Sequence, residues 1–176
     1  MFLPRIQFLL DCSCREPYAW IKEGLFRQYI PDDSACFYRL YDNHLMVAFF
    51  SALQEMLTGH GCIRAYIQDY CMTKPGNITD ETGRIEAIEA IEALCEFFAG
   101  RGVVGIVPKD TRSCCKRVCM FLRWMVRENS PVDLGIWSDF IAPRSLIIPL
   151  DTHVLQEALR LRLVTGKSHP CLLRSD

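Results

Sequence analysis

Apolar residues recur at helical spacing through much of the chain. Between residues 42 and 58, Leu45, Phe49, Leu53 and Met56 share one face. Asp42 or Asn43 precedes the run as a cap, and Gly59 and Gly61 close it, so the segment predicts a helix. A second, shorter helix is predicted from Ile63 to Met72, ended by the turn chemistry of Lys74-Pro75-Gly76-Asn77. Thr79 to Thr82 offers residues that start helices, and from Ile85 to Phe98 the apolar positions Ile85, Ile88 and Leu94 keep helical period while Glu86, Glu89, Glu92 and Glu96 line the other side.

Ser113 is placed to cap a helix reaching about Arg127, with Val118, Phe121, Leu122 and Met125 as its apolar stripe and Lys116, Met120, Arg123 and Arg127 opposite. Residues 130 to 150 are broken by Pro131, Gly135, Pro143 and Pro149, which predicts a loop with a short helical turn at Leu134 to Phe140. Ser145 to Pro149 is apolar enough to be buried. Asp151 then caps a last helix, Thr152 to Leu163. No strand pair or internal repeat stands out, so the pattern predicts an all-α class in a single domain spanning residues 1 to 176.

Charge changes this picture locally. The formal net charge is only −1 and half of the residues are apolar, which fits a globular chain and excludes a uniformly basic nucleic-acid tail. From Asp80 to Glu96, however, six acids face one arginine, and this run reads as a solvated helix face that would turn away from nucleic acid. From Arg101 to Arg127 the sign reverses, with seven Lys or Arg against Asp110 alone. Its cations are either a solvated face or a surface that tracks phosphates.

The apolar start at Met1 to Leu10 is interrupted by Pro4, Arg5 and Gln7 and is a poor signal peptide, and no run approaches the length of a membrane span, so a soluble cytoplasmic protein is expected. The ten cysteines include no Cys-x-x-Cys pair. A disulfide framework, a metal or cluster site and reduced core thiols are the three readings, and buried thiols fit best in the absence of a secretory signal. His44, His60 and His169 lack cysteine or carboxylate partners at ligand spacing, so no metal is expected.

Two strings carry candidate chemistry. Pro149-Leu150-Asp151-Thr152-His153-Val154 opens the last helix, and on its own it supports only a capped helix. It resembles the helix-hairpin-helix DNA glycosylase superfamily, in which an Asp-Thr-His-Val segment supplies an active-site aspartate. The second string, Ser113 to Arg127, is similar to the lysine-bearing helix of an uncharacterised bacterial family in that superfamily, whose studied relatives include the archaeal 8-oxoguanine glycosylases. In those relatives a catalytic lysine precedes the aspartate by somewhat over thirty residues, and here Lys116 precedes Asp151 by 35.

The resemblance, which covers roughly residues 37 to 167, implies a helical glycosylase-like bundle incomplete at its C-terminus. It implies a base-excision enzyme, monomeric and nucleoid-associated in a bacterial cytoplasm, that acts on duplex DNA with an oxidised purine such as 8-oxoguanine and needs no cofactor. By motif, Lys116 is the nucleophile and Asp151 its partner. The pair suits the reaction: a carboxylate stabilises positive charge developing on the sugar, and an unprotonated amine attacks the anomeric carbon. The resulting Schiff base permits strand cleavage by elimination. Lys109, Arg112, Arg117, Arg123 and Arg127 are the candidate DNA contacts. Trp124, Trp137, Phe140 and His153 are candidates for the pocket that receives an extruded base, each weighed against an ordinary packing or capping role.

The chain departs from the superfamily in two respects. A Leu-Pro-Gly-Val-Gly phosphate-binding hairpin is missing, and Gly102 to Lys109 occupies its place with glycines that do not match. The cysteine cluster of the endonuclease III branch is also missing, so no iron–sulfur centre is expected. Two competing readings stay open: a non-catalytic DNA-binding module on the same scaffold, and a helical adaptor for other proteins in which Lys116 and Asp151 form a structural ion pair.

Overall fold

A computed structural model describes residues 3–74, 79–149, 152–162 and 172–174. The described chain is predominantly helical, and it forms two compact units. The first comprises Met1–Tyr66 with Gly100–Ile106, the second Ile67–Ala99 with Val107–Asp176.

In the first unit, α1 (Leu3–Cys12) and α2 (Pro17–Lys22) precede a short 3-10 turn at Leu25–Gln28. Two short strands, β1 (Cys36–Tyr38) and β2 (Tyr41–Asp42), pair antiparallel and lead into α3 (Asn43–His60). Asp42 starts that helix as its composition predicts: its carboxylate accepts from the Leu45 amide at 2.8 Å. Gly61 ends it at φ +79°, a conformation that costs glycine little. The core of the unit is aromatic, with Trp20, Phe26, Ile30, Phe37 and Phe50 buried together. Trp20 meets Phe50 edge-on at 5.5 Å between ring centroids, the arrangement that ring quadrupoles favour.

The helix α4 (Ile63–Thr73) follows, and α5 (Ala87–Ala99) is the buried axis of the second unit. Ile91 and Cys95 are fully buried there. The predicted start of α5 is corrected by two residues. Ile85 is held as a bridge between Thr79 and Ile141, its amide donating to the Phe140 carbonyl at 2.9 Å. Asp80 caps a turn rather than the helix, accepting from the amides of Thr82 and Arg84 and from the Thr82 hydroxyl. The amide of Ala87 instead donates to the Ser145 hydroxyl at 2.8 Å.

The acidic run is also less solvated than expected. Glu89 is buried and lies 3.5 Å from the Lys74 amine, which also bonds Glu92. A buried carboxylate needs such a partner, and α4 ends where Lys74 can supply it.

The basic segment forms α6 (Lys116–Val126), which starts later than Ser113 allows. Its cap is Cys115, at φ 41° and ψ 30°, with no side-chain cap bond. Residues 134–140 contain the predicted short turn, the Phe140 and Ile141 amides both donating to the Trp137 carbonyl. They fold back on the end of α6, with the Leu134 and Trp137 amides donating to the Trp124 and Met125 carbonyls. A 3-10 turn at Pro143–Ser145 leads to β3 (Ile147–Pro149), in which Ile147 is buried and Ile148 exposed. The helix α7 (Thr152–Arg160) comes next, and β4 (Leu172–Arg174) pairs antiparallel with β3. Two small antiparallel pairs therefore stand beside the helices, where the sequence pattern predicts none. Strands of two or three residues are too short for alternation to show.

Candidate functional site

Lys116 is the first residue of α6 and is exposed. Behind it, Val118, Cys119, Leu122 and Val126 are buried, so the apolar stripe fixes which side of α6 the lysine occupies. Arg117 is exposed beside it. The strand β3, which ends at Pro149, packs on α6. Asp151 and the predicted cap it forms lie outside the described residues.

Further along α6 the predicted cationic stripe is partly spoken for. Arg123 and Arg127 are half-exposed, and Asp133 lies under them with 1% of its side chain accessible. One carboxylate oxygen sits 3.7 Å from the Arg123 Nε and 3.7 Å from an Arg127 terminal nitrogen. These are ion-pair distances too long for hydrogen bonds, and both Asp133 oxygens are buried without a hydrogen-bond partner among the described residues. Sequence reading missed Asp133. A single acid in a proline-containing loop carries no periodic signal, and the only hint was its position soon after two arginines.

The proposed aromatic walls divide by burial. Trp137 and Phe140 are buried, and Trp137 packs edge-on against Phe121 at 5.4 Å and Phe140 at 5.5 Å. They are interior packing as folded. Trp124 is 48% exposed, on the outside of α6 near Arg123 and Arg127. The loop that bonds to its carbonyl also presents Val132, Leu134 and Ile136 to solvent. His153 is exposed on α7, along a shallow depression that Val154, Glu157, Ala158 and Leu161 also line. Lys109 and Arg112 are exposed before α6, and Arg112 is paired with Asp110 at 2.7 Å. That pairing holds the Asp110 carboxyl below its ordinary range.

A cluster of thiols lies at the root of the same helix. Cys95 on α5, Cys115 and Cys119 are buried, and the Cys95 and Cys115 sulfurs are 4.0 Å apart. Hydrogen bonding from Cys95 pulls the Cys115 thiol down to about 7, while the same contact raises Cys95; burial pushes Cys119 up to about 12. Among the described residues no group of three or more His, Cys, Asp or Glu is arranged to hold a metal ion. None of the described helices is long and apolar enough to cross a membrane.

The fold and site thus define a mainly helical protein whose lysine-led basic helix is underpinned by thiols and by a buried aspartate. The chain belongs to the family described as "Protein of unknown function (DUF2400)", whose model matches residues 1–172. No curated protein and no solved structure matches it.

Proposed function

We propose that the chain is a DNA glycosylase with associated strand-cleaving lyase activity on an oxidised purine. The observation that carries this reading is the placement of Lys116 at the exposed start of a basic helix against which β3, the strand leading to the Asp-Thr-His-Val string, packs. In the proposed reaction the Lys116 amine attacks the anomeric carbon and the base departs with the electrons of its glycosidic bond. The Asp151 carboxylate stabilises the positive charge that develops on the sugar. The lysine adduct opens to an imine, from which elimination releases the 3′ phosphate. In this proposal a duplex seated over α6 excludes water from the exposed amine before it attacks. Exposed Trp124 offers a face on which an unstacked base can rest.

Borohydride reduction tests the imine directly. The full chain, incubated with duplexes carrying 8-oxoguanine or other lesions and then reduced, is expected to yield a covalent protein–DNA complex that Lys116→Gln abolishes. A complex that survives in Lys116→Gln removes the lysine from this role.

A second reading, a DNA-binding module without catalysis, is favoured by one observation: Trp137 and Phe140 are consumed by core packing, which leaves fewer residues to wall a base pocket. Salt-dependent binding to undamaged duplex, with no trapped complex on any lesion, is its signature.

A further inference from the structure

We infer that Cys95 and Cys115 are an oxidisable pair, which a hydroperoxide converts into a disulfide joining α5 to the root of α6. The argument is geometric and independent of any DNA chemistry. The two sulfurs are already in contact at 4.0 Å, so a bond of about 2.05 Å requires only a local approach of roughly 2 Å. Cys115 is the side able to provide it. It caps α6 in the left-handed region, at φ 41° and ψ 30°, a strained conformation for a residue with a Cβ. It stands on the loop that begins at Asp110, where the Asp110 carbonyl and the Ser113 hydroxyl, 3.4 and 3.5 Å from its sulfur, hold it in place. Cys115 is itself buried, but Ser113 and Lys116, on either side of the Cys114–Cys115 pair, are exposed.

The two thiols are also unlike in a way that suits consecutive steps. Cys115 stands at the loop end beside exposed Lys116 whereas Cys95 is fully buried within α5, so Cys115 is the sulfur that meets the peroxide and attacks as thiolate, and Cys95 resolves the product. In the first step the Cys115 thiolate attacks one peroxide oxygen. The O–O bond breaks, the departing hydroxide takes up a proton as water, and Cys115 is left as a sulfenic acid. In the second, the Cys95 sulfur attacks the Cys115 sulfur, the S–O bond breaks, and the hydroxyl leaves with the Cys95 proton as a second water. Two thiols and one hydrogen peroxide thus give one disulfide and two waters. Cys119, also buried nearby and raised to about 12, is a poor competitor for the first step.

The test uses the full reduced chain, treated with hydrogen peroxide under native conditions, then denatured, alkylated and mapped by mass spectrometry. A linked Cys95–Cys115 peptide pair is expected to accumulate in wild type and in Cys119→Ser, and to disappear in Cys115→Ser and in Cys95→Ser. The wild-type map decides the matter even if a variant fails to fold. Recovery of Cys95 and Cys115 as alkylated thiols while the exposed Cys14, Cys36 and Cys62 are oxidised would overturn the inference. So would pairing of Cys115 with Cys114 or Cys119.

Discussion

Asp80 shows how one carboxylate can organise a turn that its sequence neighbours suggest is a helix start. Its hydrogen bonds to Thr82 and Arg84, and the Arg84 guanidinium 3.2 Å away, hold its carboxyl down to about 2. A carboxyl depressed by folding stabilises the native state at pH values above its unfolded value, about 3.9, and that contribution fades as pH falls toward 2. Asp80→Asn is therefore expected to melt a few degrees below wild type at neutral pH, with the gap narrowing between pH 4 and 2. Thermal melts across that range check it, and a pH-independent gap assigns the loss to turn geometry alone. Asp42 was legible in the sequence because its cap acts within three residues of itself. Asp133 was not, because its significance depends on two arginines brought over it by the folding back of a loop.

At the scale of elements, α6 separates the residues that hold the fold from those that face outward. Trp137, packed under the helix, and Trp124, standing on it, are the same residue type in opposite settings. Trp137→Ala is expected to cost about 3–5 kcal/mol, as large aromatic truncations in cores do. Trp124→Ala is expected to cost below about 1 kcal/mol while weakening binding to single-stranded or damaged DNA by roughly tenfold, the worth of one stacked base. Urea denaturation and DNA titration of the two variants check both halves. Unchanged DNA affinity in Trp124→Ala removes the stacking role. Helices α3, α4 and α6 were readable as periodic stripes, with the start of α4 matched and the other ends off by up to three residues. The errors have physical causes: Cys115 takes over from Ser113 as cap in a conformation that composition does not announce, and the strand pairs are too short to alternate.

For the whole molecule, a net charge of −1 conceals a division into acidic and basic stretches, and the structure adds a buried aspartate that restrains two of the cations. If those arginines contact phosphate, Asp133→Asn releases them. The variant is expected to bind undamaged duplex more tightly than wild type and with a log–log salt slope steeper by about one phosphate contact. Titrations at several salt concentrations measure it; an unchanged slope places Arg123 and Arg127 away from DNA. The division of charge was visible in the sequence, whereas the restraint was not, and Asp151, the other half of the proposed site, lies outside the described residues. The hydroxyl that caps α5 bears on how the chain reaches this state. Ser145 lies 58 residues downstream of the Ala87 amide it receives. The Ala87 amide therefore gains this partner only when the segment after α6 has closed a long loop onto α5. One end of the most buried helix of its unit is thus closed by a contact from far along the chain.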